Sequence, residues 1–179
     1  MSQPPKTKVR ERYNSLGGGL YDLRYRDEQE RKYDSAILLT LPKNYELILD
    51  AGCGTGMMME KIDASVVGVD ISYSLIQFAN KRKKNNQHVI LSDVENLPMK
   101  NNIFSVCYAM TILQNIPDKI KTLKELRRVS KDGCRIIITA LKAAFSESEF
   151  KDILDKLNFT MFELVGDSGT NDWIAYAET

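Results

Sequence analysis

Three glycines at alternate positions, Gly52, Gly54 and Gly56, follow a short apolar run that ends at Asp50. The apolar run is typical of a buried strand, and the segment after the glycines is typical of a helix. Glycines at such a turn let the backbone bend tightly and approach a ligand closely. Because ligands of open α/β sheets bind beyond the carboxyl ends of the strands, residues 49–56 (LDAGCGTG) predict a binding loop for a nucleotide-like cofactor.

Two acidic residues follow the next two predicted strands. Asp70 ends the run VVGVD, close to the spacing of about 20 residues after the glycines at which an acid binds ribose hydroxyls. Asp93, in LSDVENLP, follows the third predicted strand, where a side chain could bind the edge of an adenine. Each feature alone has a simpler explanation, a strand-to-helix turn for the glycines and a turn cap for Asp93. Together they favour a nucleoside site.

The glycine spacing separates two classes of cofactor. Dinucleotide-binding enzymes use G-x-G-x-x-G and bind a pyrophosphate at the start of the first helix. Here the last two glycines lie one residue closer together, and Asp50 precedes the loop. An acid beside the loop suits a cationic amino acid group better than a pyrophosphate. The pattern therefore favours S-adenosylmethionine, and a nicotinamide oxidoreductase is the less favoured alternative.

Strand-like and helix-like segments alternate after residue 44. The predicted strands are ELILD, VVGVD, HVIL, IFSVCYAM, RIIITAL, FTMFELV and DWIAYAE. Ser72 and Asp118 are predicted to begin helices, and Ser146 starts a capping-box pattern with Glu149. This alternation predicts an α/β fold with a Rossmann-like, doubly wound, seven-stranded and mostly parallel sheet. The last two strands, joined by the turn-rich residues 166–169, are too close for a helical crossover and should form an antiparallel hairpin.

The first 41 residues differ from the rest of the chain. Two helical segments are predicted there, broken by Gly17, Gly18 and Gly19, and Pro42 ends the second segment. We therefore predict a short N-terminal helical lid over residues 1–41 and a cofactor-binding domain over residues 42–179.

The composition excludes several classes of protein. The 179 residues carry a formal net charge of +1, and 43% of them are hydrophobic, which fits one packed domain. The polar, basic N-terminus is not typical of a secretory signal, and every apolar run is far shorter than the ~20 residues of a membrane span. Three widely spaced cysteines and one histidine predict no metal site, no disulfide framework and a cytoplasmic location.

The motifs LDAGCGTG, VVGVDIS and SDVENLPMKNNIFSV, with the closing pair of strands, resemble the class I S-adenosylmethionine-dependent methyltransferases. The branch with ubiquinone-biosynthesis-type and small generic members is the most similar, and the likeness covers roughly residues 45–178. The resemblance implies S-adenosylmethionine as cofactor and S-adenosylhomocysteine as product. It implies that the methionine end of the cofactor is lined by Asp50, Gly52, Cys53, Gly54 and Gly56. It implies that Asp70 binds the ribose and that Ile71, Asp93 and Val94 flank the adenine. The methyl group and the acceptor would lie beside Met110. A segment similar to the family's opening pattern adds Tyr21 and Tyr25 as contacts.

The methyl acceptor stays open among small molecules, RNA and protein. Enzymes that methylate exocyclic amines of bases carry an Asn-Pro-Pro-Tyr-like motif after the fourth strand, where residues 110–117 here are MTILQNIP. The basic run at 81–84 leaves tRNA or rRNA as an alternative acceptor, with an activating partner subunit or a homodimer completing a thin substrate side. A non-catalytic cofactor-binding scaffold is the alternative of another class. Gln114 and Asn115 are expected to orient an acceptor, and no catalytic base is predicted.

Overall fold

The computed structural model describes residues 5–157, 159–165 and 169–179. Within these ranges, seven strands form one sheet: β1 (Leu47–Ala51), β2 (Ser65–Asp70), β3 (Gln87–Leu91), β4 (Phe104–Ala109), β5 (Ser130–Leu141), β6 (Met161–Val165) and β7 (Asp172–Glu178). Their order across the sheet is β3-β2-β1-β4-β5-β7-β6. Strands β1 to β5 pair in parallel, and β7 pairs antiparallel with both β5 and β6. The predicted sheet and its antiparallel C-terminal pair are confirmed, while residues 166–168 of the predicted turn lie outside the described residues.

The helices after β1 begin where their caps predict. The described helices are α1 (Lys6–Thr40), α2 (Met57–Lys61), α3 (Tyr73–Arg82), α4 (Lys119–Val129) and α5 (Glu147–Asp155), with a 3-10 helix at Leu113–Asn115. The Ser72 hydroxyl accepts a hydrogen bond from the N–H of Leu75, and Asp118 accepts one from the N–H of Lys121. Ser146 and Glu149 form a complete capping box at α5. These caps satisfy N–H groups that a helix start leaves without partners, and so fix where each crossover turns.

Helices cover both faces of the sheet. On one face, apolar side chains of α4 and α5 such as Leu126 and Phe150 pack in a cluster that includes Ile136 of β5. On the other face, the end of α1 joins α2 and α3, and Tyr33, Met58 and other apolar residues pack with the opposite side of the same strands. This is the three-layer arrangement that a doubly wound sheet produces, and it leaves the two ends of the strands free of core packing.

The N-terminal segment is one long kinked helix, which differs in detail from the prediction. All three glycines at 17–19 were expected to break it, but within α1 only Gly17 is non-helical, with φ 69° and ψ 156°. Gly18 is buried, and a Cβ atom there would overlap the ring of Phe78 in α3. The second glycine therefore serves close helix packing, and only the first forms the joint. The helix ends at Thr40, ahead of Pro42 as predicted, and the proposed division of the chain at residue 41 stays a prediction.

The start of β5 differs from the prediction. Strand β5 begins at Ser130, five residues before the predicted run RIIITAL, because Ser130 already pairs with Phe104 ahead of an irregularity in the ladder. None of the helices in the part of the chain that the structure describes is long and apolar enough to cross a membrane. The cytoplasmic location stays a prediction.

Candidate functional site

The carboxyl ends of four neighbouring parallel strands meet at one edge of the sheet. Strand β1 leads into Gly52, β2 ends at Asp70, β3 is followed by Asp93, and β4 is followed by Met110. These four residues come from separate parts of the sequence, and parallel pairing alone brings them to the same edge. This edge is where open α/β sheets bind their ligands.

The glycine loop is bound to the end of β2. The N–H groups of Gly52 and Cys53 both donate to the carbonyl of Val69, at 2.7 and 3.0 Å. Gly52 has φ 82°, a left-handed conformation that favours glycine, and a Cβ atom there would overlap the side chain of Ile112. A larger residue would meet both obstacles, so the sequence requirement at Gly52 is steric as well as conformational.

Two carboxylates lie at this loop without a cation. Asp50 is 2% exposed, and its Oδ2 has no hydrogen-bond partner among the described residues. Asp70 accepts hydrogen bonds from the N–H groups of Gly54 and Ser72, at 3.0 and 2.8 Å. Neither carboxylate forms an ion pair within the described ranges.

Burial raises the pKa values of both acids. Burial, and then the negative charge of Asp70, raise the pKa of Asp50 to about 7. Burial also raises the pKa of Asp70, although hydrogen bonds from the backbone of Ser72, Gly54 and Ile71 oppose the rise. A positively charged ligand would stabilise both carboxylates, whereas an anionic ligand would be repelled.

Asp93 contacts the first turn of α1. Its Oδ2 accepts a hydrogen bond from Lys6 Nζ at 2.6 Å, and its Oδ1 accepts one from the N–H of Glu95 at 2.9 Å. Lys6 Nζ also lies 2.6 Å from the Glu95 carboxylate. One lysine therefore bridges two acids and fastens the beginning of α1 to the loop after β3.

Further along, α1 lies across the site. Tyr13 Oη accepts a hydrogen bond from Asn115 Nδ2 at 2.9 Å, and Asn14 Oδ1 accepts one from the Ser72 hydroxyl at 2.7 Å. These contacts join the helix to the loop after β4 and to the start of α3. The predicted lid segment is thus bound over the carboxyl edge of the sheet.

The basic run at 81–84 is partly used inside the molecule. Arg82 is paired with Asp22 of α1 and with Glu60, and it donates to the carbonyl of Thr55 at 2.9 Å. Lys84 donates to the carbonyl of Ile62 at 2.9 Å. Two of the four cations therefore hold α1, α2 and α3 together rather than forming a free charged surface.

A cavity of about 700 Å³ lies between α1 and the strand ends. Eight of the residues predicted to bind the cofactor line it: Tyr21, Gly52, Gly54, Asp70, Ile71, Asp93, Val94 and Met110. We call it the cofactor cavity.

The other four predicted contacts do not line this cavity. Asp50 and Cys53 are buried behind the loop, and a Cβ atom at Gly68 would lie 2.9 Å from the Cys53 sulfur. Gly56 begins α2 and allows close packing on Ala79 of α3. Tyr25 lines a neighbouring cavity. Their roles in cofactor binding stay predictions.

Sequence reasoning missed several residues of the cavity wall. The residues that line it without having been predicted as cofactor contacts include Lys6, Tyr13, Thr111 and Asn115. Thr111 has φ 55°, unusual for a β-branched residue, and nothing in its sequence context signals it. Within the described residues, no three His, Cys, Asp or Glu side chains are grouped so that they could hold a metal ion.

Comparison with known proteins gives the family. Residues 49–138 match the family described as methyltransferase domain, which is half of the chain. The chain belongs to this methyltransferase family. The class I S-adenosylmethionine-dependent resemblance is thereby confirmed at the level of the family.

Two curated relatives are similar to this chain at about one third sequence identity. It is 32% identical over 154 residues to an uncharacterized protein of Methanocaldococcus jannaschii, covering 86% of this chain and 59% of that protein. It is 31% identical over 101 residues to malonyl-[acyl-carrier protein] O-methyltransferase of Serratia marcescens, covering 55% of this chain and 39% of that protein. The chain thus spans about half the length of the curated relatives it matches.

One solved structure illustrates the shared fold. A chain from the complex of the Haloferax volcanii Trm112 methyltransferase activator superposes with a TM-score of 0.79 at 12% identity, covering 93% of this chain and 96% of that one. At this identity the likeness supports the fold alone.

Proposed function

We propose that this chain transfers a methyl group from S-adenosylmethionine to an acceptor, with the cofactor bound in the cofactor cavity. The observation that carries the proposal is the pair of carboxylates, Asp50 and Asp70, which have no cationic partner within the described residues. The methyl donor is positively charged at its sulfur and at its amino group, so it matches this charge. The pyrophosphate of a nicotinamide dinucleotide does not.

The residues of the wall fit such a cofactor. Each oxygen of Asp70 accepts a backbone hydrogen bond and keeps a second lone pair, which could accept from ribose hydroxyls. Val94 and Ile71 offer apolar contact beside Asp93, as an adenine requires. When bound, S-adenosylmethionine supplies a methyl group that passes to a nucleophile as the carbon–sulfur bond breaks and its electron pair stays on sulfur.

The protein's own contribution is alignment and exclusion of water. Helix α1 covers the site through Lys6, Tyr13 and Asn14, which limits access of solvent. Burial raises the pKa of Tyr13 and, more strongly, that of Tyr21, so both phenols stay neutral at physiological pH. They can orient an acceptor by hydrogen bonding, and holding reactants in line supplies a large part of the rate enhancement.

A small-molecule acceptor is favoured over RNA. Arg82 is largely buried in ion pairs and Lys84 donates to a backbone carbonyl, which leaves fewer free cations in the basic run to bind phosphates. RNA methylation with a partner subunit stays the alternative. Its partner-subunit part is supported by the Haloferax volcanii neighbour, which was solved with an activator protein. Light scattering of the purified chain, alone and after incubation with cell extract, tests for a homodimer or a partner subunit.

The test of the proposal is a calorimetric titration with S-adenosylhomocysteine and, separately, with NADH. We expect the first to bind and Asp70→Asn to weaken it at least tenfold, while the exposed Asp63→Asn does not change it. Transfer of labelled methyl into the small-molecule, protein and nuclease-sensitive fractions of an extract then identifies the acceptor class. Binding of NADH without S-adenosylhomocysteine contradicts the proposal, and cofactor binding without transfer to any fraction favours the scaffold alternative.

A further inference from the structure

A second cavity of about 520 Å³ adjoins the cofactor cavity. The two share Tyr13, Tyr21, Thr111 and Asn115, so a molecule in the second cavity lies next to one in the first. We call it the acceptor cavity.

One face of α1 forms much of its wall. Tyr21, Tyr25, Gln29 and Lys32 follow one another at intervals of four, four and three residues, which places them on the same side of a helix. The rings of Tyr21 and Tyr25 lie 5.1 Å apart between centroids and are tilted by 54°. They provide an aromatic surface against which a flat or apolar body can pack.

The charged group at the buried end of this face is neutralised by the protein itself. Lys32 is fully buried, and its Nζ lies 2.8 Å from Asp172, 3.1 Å from Glu28 and 3.1 Å from the Thr111 hydroxyl. With two carboxylates and a hydroxyl around it, Lys32 has no charge to offer a ligand.

Gln29, one turn earlier, is different. It is 6% exposed, and its Oε1 is buried without a hydrogen-bond partner in the part of the chain that the structure describes. Buried amides are normally hydrogen-bonded, and one left unsatisfied costs free energy. Because Gln29 lines the acceptor cavity, rotation of its amide could satisfy this atom with a polar group of a bound molecule.

Arg12 supplies the remaining feature. It is exposed at the solvent end of the same cavity, and its guanidinium carbon lies 5.7 Å from the centre of the Tyr13 ring. Arg12 forms no ion pair within the described ranges, whereas Arg26 of α1 and Arg82 of α3 do. Stacking on the ring orients the guanidinium while leaving its donors available for an anion.

We propose that the acceptor cavity selects an anionic small molecule whose flat or apolar body packs on Tyr21 and Tyr25, with a polar group hydrogen-bonded to Gln29 and a carboxylate or similar group bound by Arg12. That the bound molecule is the methyl acceptor rests on the proposed function. Binding of the molecule to the cavity does not, because binding is measured separately from methyl transfer. Gln29 and Arg12 are then the residues that determine specificity at the two ends.

The test uses matched pairs of a small acid and its methyl ester, from 4-hydroxybenzoate, 4-aminobenzoate and 3-hydroxybutyrate. Binding to the full chain is measured by calorimetry, with saturating S-adenosylhomocysteine and without it. We expect at least one acid to bind about tenfold more tightly than its ester, because the charge-assisted hydrogen bond to Arg12 is lost in the ester. Arg12→Gln should remove that preference and leave ester binding unchanged.

The matched control is Arg24→Gln. Arg24 is also an exposed arginine of α1 stacked on a tyrosine, at 5.4 Å from the centre of the Tyr25 ring, but it does not line the acceptor cavity. It should keep the preference for the acid. Gln29→Leu should weaken acid and ester alike by about tenfold, and because it removes an unsatisfied buried amide it should not lower the melting temperature.

The outcomes separate the two proposals. Equal binding of acid and ester in all three pairs, no binding of either at millimolar concentration, or loss of the preference in Arg24→Gln as well, overturns the acceptor-cavity proposal. Failure to bind S-adenosylhomocysteine while Arg12-dependent acid binding persists overturns the proposed function and leaves the binding site standing. Methyl transfer to RNA that is unaffected by Arg12→Gln also overturns the small-molecule acceptor.

Discussion

The two cavities adjoin, yet they are built in different ways. The cofactor cavity is positioned largely by the backbone, since parallel pairing of β1, β2 and β4 places its glycine loop and strand ends. The acceptor cavity is formed mostly by side chains of one helix, α1. That helix is held by Lys32, whose partners Thr111 and Asp172 are 79 and 140 residues away in the sequence.

This difference predicts different sensitivities. A site whose loop is positioned by the backbone should be highly sensitive to the addition of a Cβ atom in that loop. A site made of side chains on a helix should depend on the few buried polar contacts that hold the helix down.

The largest effect is expected at Lys32, whose buried contacts hold α1 in place. Lys32→Met removes the buried cation and leaves Asp172 as an uncompensated buried charge, so we expect the free energy of unfolding to fall by about 3–5 kcal/mol. Urea denaturation measures the loss. Lys61→Met is the control, because Lys61 pairs with Asp34 at the surface, where such pairs contribute about 1 kcal/mol or less. Equal losses in the two variants would show that the Lys32 network does not hold α1.

The glycine loop of the cofactor cavity is tested at Gly52. Gly52→Ala adds a Cβ atom that overlaps Ile112 in a left-handed conformation, and we expect S-adenosylhomocysteine to bind about 100-fold more weakly, roughly 2.7 kcal/mol. Gly133→Ala is matched in strain, because Gly133 has φ 69° but no atom within 4 Å of its added Cβ. The control should lose some stability and no affinity. A similar loss of affinity in both variants would attribute the effect to general strain.

The same difference explains what could be predicted from the sequence. The loop, Asp70 and Asp93 were found because each sits at a fixed place after a strand, and the strands themselves are short apolar runs. The capping residues Ser72, Asp118 and Ser146 gave helix starts for an equally local reason. Local patterns therefore sufficed for the sheet and for most of the cofactor cavity.

The acceptor cavity could not be predicted in this way. Gln29 and Lys32 lie in a helix whose mixture of charged and apolar residues shows no clear amphipathic face, so burial of a lysine was not indicated. The helix bends at Gly17, and the neighbouring Gly18 packs against Phe78, which is about 60 residues away in the sequence. Long-range contacts of this kind leave no signal in a single sequence.

Asp50 is a buried side chain directly before the glycine loop of the cofactor cavity. Its pKa of about 7 in the folded protein means that Asp50 binds a proton below that pH, while a cationic ligand favours the carboxylate. We expect the affinity for S-adenosylmethionine to rise about tenfold between pH 6 and pH 8, with release of a proton measurable by calorimetry in buffers of different ionisation enthalpy. Asp50→Asn should abolish both effects, and an unchanged pH dependence in Asp50→Asn would assign them to another group.

The same carboxyl should affect stability with a definite sign. The folded pKa of Asp50 lies above its ordinary value of 3.8, so between about pH 4 and pH 7 the folded state holds a proton that the unfolded state has lost. Its contribution to stability is therefore present at low pH and is lost as the pH rises toward 7. Thermal melts across this range should show a smaller fall for Asp50→Asn than for the unmodified chain.

The smallest effect is expected at Lys6. This side chain of α1 contacts the loop after β3 and so joins the helix to the cofactor cavity. Its ion pairs with Asp93 and Glu95 are partly exposed, so Lys6→Ala should speed dissociation of S-adenosylhomocysteine only about threefold to fivefold, as measured by stopped-flow fluorescence. The difference should vanish near 1 M salt, where the Debye length is about 3 Å. The neighbouring Lys8→Ala, at an exposed position without an ion pair in the described residues, should change nothing. Tighter binding by Lys6→Ala would mean instead that Lys6 competes with the ligand for Asp93, and the first turn of α1 would then be an obstacle to entry rather than a cover.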